Sequence, residues 1–147
     1  MQRLTVSDSS RCSLPHWKDV ASCIPEDFRY DGASSPFRII YPLIYWSPYT
    51  LADIYIASRI HDFGYGPARL IGSPHVAMGD EMHSLSTLNR HQWDEIYRLA
   101  LLGLHHPRIA AIHHGGLDLL GWLAWQRNDE KFAKRGIITY DNWLASR

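Results

Sequence analysis

LADIYIASRIHDFGYG, residues 51–66, decides the fold. Ile54, Ala57, His61 and Tyr65 follow one another at three- and four-residue steps, the period of a single helix face. Thr50 stands ahead of the run as a candidate cap, and Gly64, Gly66 and Pro67 close it.

Working outward, the chain up to Pro36 is irregular, punctuated by Pro15 and Pro25, and its short runs Leu4 to Val6 and Trp17 to Ile24 are expected as short strands and turns. Residues 67–87 carry Pro67, Gly72, Pro74 and Gly79 with few periodic hydrophobics, which predicts a surface loop long enough to be a lid or docking loop. A second helix is expected from near Asn89, through Trp93, Ile96, Tyr97, Ala100 and Leu101, to Gly103 and Pro107. A third covers about 108–126, with Gly115 and Gly116 in its middle either breaking it or admitting a close neighbour. Beyond it, NDEKFAKR reads as solvent-exposed and ITYDNWL as a final strand or docking tail. The sum is a mainly helical α+β fold in one domain over residues 1–147, with short N-terminal strands beside an antiparallel helix pair and a third helix.

The 147 residues suffice for one hydrophobic core. Fifteen basic and fifteen acidic residues cancel, so no whole-protein field draws the chain to nucleic acid or an anionic membrane, and only a local patch could do so. Cys12 and Cys23 are too few for a disulfide framework and are expected as thiols. MQRLTVSDSSR lacks the apolar run of a secretory signal, and no stretch approaches the ~20 apolar residues of a membrane span. The expected location is a cytoplasm.

The chemistry concentrates at the end of the first helix. His61 can take a proton from water if a carboxylate on its other nitrogen fixes the tautomer and stabilises the imidazolium. Asp94 on the second helix is the expected partner, with Tyr65 one turn beyond His61 on the same face. Asp62 is then free to hold a hard cation such as calcium. Against this stands the plainer reading of a polar pair that only caps a helix. DGASSP, with Asp31, Ser34 and Pro36, reads as a tight turn that could reach the site. His106 and His113, seven residues apart, suggest a metal pair, but Pro107 lies between them and no cysteine or carboxylate cluster completes the set. Trp122 and Trp125 are expected to pack.

Taken together, IPEDFRYDGASSP, ADIYIASRIHDFGYG, NRHQWDEIYRLALLGL and HHGGLDLLGW resemble a family of small, functionally uncharacterised bacteriophage and prophage proteins, over residues 23–126. Its pattern is Asp-x-x-Ser-x-Pro, a helix ending His-Asp-x-x-Tyr, and a later helix with Ala-Asp. Here it falls on Asp31, Ser34, Pro36, His61, Asp62, Tyr65 and Asp94, with Trp93 in place of Ala. HDFGYG is also similar to the active-site helix of phospholipases of the A-two type. That likeness implies His61 as general base, Asp62 as calcium ligand, Asp94 as orienting carboxylate and Tyr65 as a supporting hydroxyl. The Gly-rich calcium loop of those enzymes is missing, SPYTLAD standing in its place, and Asp31 would be a substitute ligand.

Three functions follow as expectations. The first is a phage-encoded hydrolase of an ester, lipid or cell-envelope component, made in the host cytoplasm. The second is a non-catalytic virion or tail-associated protein whose partners are other phage proteins. The third is a His-Asp metal phosphohydrolase, which would need an upstream histidine and has only His16 to offer.

Overall fold

The computed structural model describes residues 14–29 and 48–147. Among them are five α-helices: α1 Trp17–Cys23, α2 Pro48–Tyr65, α3 Arg90–Gly103, α4 Pro107–Arg135 and α5 Tyr140–Ala145. A two-stranded antiparallel sheet, β1 His75–Met78 with β2 Glu81–Ser84, lies between α2 and α3, flanked by the 3-10 turns Pro67–Arg69 and Leu85–Thr87. The mainly helical α+β class holds. Asp31, Ser34, Pro36 and the Leu4 to Val6 run lie outside the described residues.

Among the described residues the strands are not where the sequence placed them. Trp17 to Ile24, expected as a strand, is the helix α1: Val20 and Ile24, four residues apart, are both buried, and the His16 side chain caps the start by accepting from the Lys18 amide at 3.2 Å. The expected 67–87 loop instead folds into the hairpin. Its two-residue connection, Gly79 and Asp80, has Gly79 at φ 66°, a value the first position of a II′ turn requires. Only Val76 of the hairpin is buried outright, which is why no period-two hydrophobic signal marks it.

α2 begins at Pro48, so Thr50 sits inside the first turn rather than at the cap. α3 starts where expected, with Asn89 as cap: its Oδ1 accepts from the Gln92 amide at 2.9 Å while Gln92 Oε1 accepts from the Asn89 amide at 2.8 Å. Trp93, Ile96, Tyr97, Ala100 and Leu101 form its buried stripe. α2 and α3 are pinned at opposite ends, Asp53 to His106 at 2.8 Å and His61 to Asp94 at 3.1 Å, which makes the pair antiparallel.

α4 runs unbroken through Gly115 and Gly116 to Arg135, nine residues past its expected end, and stops at Gly136 with φ 65°. Among the described residues neither glycine has a neighbouring element's atom within 4 Å of where a Cβ would stand, so neither admits a close neighbour there. The close approaches are elsewhere: the Trp93 indole lies across Gly64, and Gly121 faces the tips of Tyr65 and Arg90. ITYDNWL, expected as a strand or tail, is α5, capped by Thr139. Among the described residues no helix is long and apolar enough to cross a membrane.

Candidate active site

Asp94 is the centre of the polar cluster. It projects from the second turn of α3 into the α2–α3–α4 junction, with no surface exposed. An isolated carboxylate there would lose several kcal/mol of hydration, so its stability depends on its partners. It has three: Oδ1 takes His61 Nε2 at 3.1 Å and a short bond from the Tyr65 hydroxyl, and Oδ2 takes Arg90 Nη1 at 3.2 Å. Arg90 also donates to the Leu117 carbonyl at 3.0 Å, which ties the cluster to α4. Burial pushes the Asp94 carboxyl up, but the bonds from His61 and Tyr65 and the His61 and Arg90 charges outweigh it and hold it below the usual carboxylate value.

His61, Tyr65 and Asp94 are therefore brought together as the sequence implied. The His61 ring packs on Tyr65 at 3.9 Å between centroids, so the three groups are fixed in orientation as well as distance. Burial works against a charged imidazole. The carboxylates of Asp62 and Asp94 at its two nitrogens overcome that, and His61 titrates above the ordinary histidine value. Burial first, and then the bond to Asp94, push Tyr65 far above the ordinary phenol value, so its hydroxyl stays a donor. The His61 side chain is buried but for 11% of its surface, and Asp62 stands between it and the neighbouring cleft.

With Nε2 given to Asp94, Nδ1 faces Asp62 Oδ1 at 3.9 Å. Asp62 lines a cleft of about 490 Å³ between the end of α2 and the last third of α4. Arg69 fixes the two helices there: it stacks on Trp125 at 3.5 Å, pairs with Asp129 at 2.5 Å and donates to the Trp125 carbonyl. Asn128 donates to the Tyr65 carbonyl at 3.0 Å. Arg59 holds the third wall, residues 27–29, through the carbonyls of Pro25 and Glu26.

Among the described residues Asp62 belongs to no group of three metal-ligating side chains, and Asp31 lies outside them. His91, Asp94 and Asp118 do bring ligand atoms within 4.8 Å of one another. A cation there would share Asp94 with the Arg90 guanidinium, whose Nη2 is also 3.4 Å from His91 Nε2, so like charges would compete for one carboxylate.

Three other histidines have partners of their own. His16 caps α1 and stacks on Trp17. His106 pairs with Asp53, and the Tyr97 hydroxyl lies 2.7 Å from His113 Nδ1. Pro107 is the first residue of α4 and His106 precedes it, so His106 and His113 do not share a helical face. Trp125 packs as expected, edge-on to Tyr65 at 5.2 Å, whereas Trp122 is 47% exposed.

Sequence reasoning missed Arg90, Gly121 and the cationic cleft wall. The first was signalled by its i, i+4 spacing from Asp94, and the last by Asn128, Lys131, Phe132 and Arg135 at i, i+3, i+4 and i+7. No protein-family model, curated protein or solved structure matches the chain.

Proposed function

We propose that this chain is a phage-encoded hydrolase in which His61 is the general base, acting on an ester of a lipid or cell-envelope component. One observation carries the reading: His61 gives Nε2 to a fully buried carboxylate and keeps Nδ1 on the side of the cleft-lining Asp62. In the neutral tautomer that Asp94 selects, the proton is on Nε2 and the Nδ1 lone pair is available. Nδ1 takes a proton from water as the water oxygen attacks the ester, and the imidazolium so formed returns it to the departing alkoxide. Asp94 and Asp62 stabilise that imidazolium, and Tyr65 and Arg90 hold Asp94 in place. The phage origin, and with it synthesis in the host cytoplasm, rests on the three-motif resemblance.

The test is a panel of carboxylic and phosphoric esters, including phospholipid, assayed with wild type and His61→Gln, with calcium and with chelator. His61→Gln is expected to lose on the order of 10²–10⁴ in rate while remaining folded. Full activity in the variant would discard the mechanism, and a response to chelator would bring calcium back at Asp62.

A second reading, a virion or tail-associated assembly protein, has its own observation. Ile112, Leu119, Leu120 and Trp122 on α4 are between 47% and 75% exposed, apolar surface that an assembly protein would bury. Wild type inert on every ester but present in purified particles would favour it.

A further inference from the structure

The Asp62 cleft has an uneven distribution of charge. Four cationic side chains line it, Arg29, Lys131, Arg135 and Arg147, against two carboxylates, Asp27 and Asp62. Arg147 is taken up by its ion pair with Asp27 and its stack on Trp143 at 4.8 Å. Arg29, Lys131 and Arg135 have no ion-pair partner among the described residues. In a chain of zero formal net charge this is the local patch that the bulk numbers leave open. The helix dipole favours cations in the last turn of α4, where both Lys134 and Arg135 lie, but of these two only Arg135 lines the cleft, and the dipole does not account for Lys131 or Arg29 there.

The space and the walls narrow the ligand further. About 490 Å³ is far more than a bare anion fills and lies within the range of small-molecule sites. Phe28, Phe132 and Trp143 give the cleft an apolar side, fixed by the edge-on contacts of Phe28 with Phe63 at 5.5 Å and with Trp143 at 6.0 Å. Three cations without an ion-pair partner among the described residues, of which only Arg29 acts at longer range on a carboxylate, Asp27, exceed what a monovalent carboxylate calls for, and two of them are guanidinium forks suited to phosphate oxygens.

We infer that this cleft is a binding site for a phosphate ester, with Lys131, Arg135 and Arg29 on the phosphate and the organic group against Phe28, Phe132 and Trp143. Asp62 repels the anion, so the phosphate takes the α4 wall and the rest of the ester extends toward Asp62 and His61. The inference rests on the hydrolase reading for what becomes of the bound ester, and on the cleft alone for binding. The phosphate can belong to a soluble phosphomonoester or to a lipid headgroup.

Calorimetric titration of the whole chain with glycerol 3-phosphate and with inorganic phosphate tests it. Saturable binding of glycerol 3-phosphate is expected, tighter than that of inorganic phosphate. Lys131→Ala and Arg135→Ala should each weaken it roughly three- to tenfold at low salt, less as ionic strength rises and the Debye length falls to about 10 Å. Lys134→Ala, the same charge change on the same helix outside the cleft lining, should weaken it less than either, because Lys134 reaches the phosphate only through a field that salt screens and not through a direct contact. No saturable binding at low salt, or an equal loss in Lys134→Ala, overturns the site. Cosedimentation with phosphatidylcholine vesicles with and without phosphatidic acid separates the sources: gain with phosphatidic acid assigns the lipid headgroup, and its absence beside saturable glycerol 3-phosphate binding assigns a soluble ester. His61→Gln keeps the two readings apart. Binding in both proteins without turnover in wild type would remove the hydrolase and leave the site, whereas turnover without binding would remove the site and leave the hydrolase.

Discussion

The Asp94 cluster and the cleft beside it share the end of α2 but are built on opposite terms. In the cluster both oxygens of a fully buried carboxylate are engaged and an indole covers the neighbouring glycine. In the cleft three cations have no ion-pair partner among the described residues and the walls stand open. Buried charge must be satisfied inside the chain because water cannot reach it, whereas exposed charge can remain uncompensated at little cost. The cluster therefore fixes geometry, and the cleft is left to receive a ligand.

The sharpest way to break this contrast is Asp94→Ala against Lys131→Ala. The first leaves the part-buried Arg90 guanidinium and the buried His61 and Tyr65 short of their carboxylate and is expected to cost about 3–5 kcal/mol in urea unfolding; the second should stay within about 0.5 kcal/mol. Equal losses would mean the cleft is as structural as the cluster.

Next are two glycines. Gly64→Ala would place a Cβ 2.2 Å from ring atoms of the buried Trp93, so a loss of about 1–3 kcal/mol or more is expected from overpacking. Gly115→Ala, with nothing within 4 Å, should instead stabilise by up to about 1 kcal/mol, read as a shift in melting temperature.

The smallest effect is in pH. His61 is held above the ordinary histidine value, so its stabilising contribution is fully present below that value and is lost as pH rises through the raised one. A general base must be neutral, so activity should rise over the same window in which stability falls. Urea midpoints and rates measured from mildly acidic to alkaline pH check both, and His61→Gln should flatten the stability slope. Asp94, held low, should release its contribution only as pH falls below the usual carboxylate range.

The sequence by itself determined the helices that present a long, regular apolar stripe, α2 and α3, and with them the meeting of His61, Tyr65 and Asp94. Period and capping are local properties, and two antiparallel helices that each bear one apolar stripe have few ways to pair. α1 and the hairpin were missed because each is too short to show a period, and the hairpin's one marker, Gly79 before Asp80, sat inside a stretch otherwise poor in hydrophobics. The length of α4 was misjudged because Gly115 and Gly116 cost only about 1 kcal/mol each, which the packing of α4 on α3 outweighs. Only folding settled which carboxylate is buried, that Gly121 belongs to the cluster, and that Arg29, about a hundred residues from Lys131 and Arg135, shares a cleft with them. Burial and long-range charge are properties of what the folded chain places around a residue, and no local pattern encodes them.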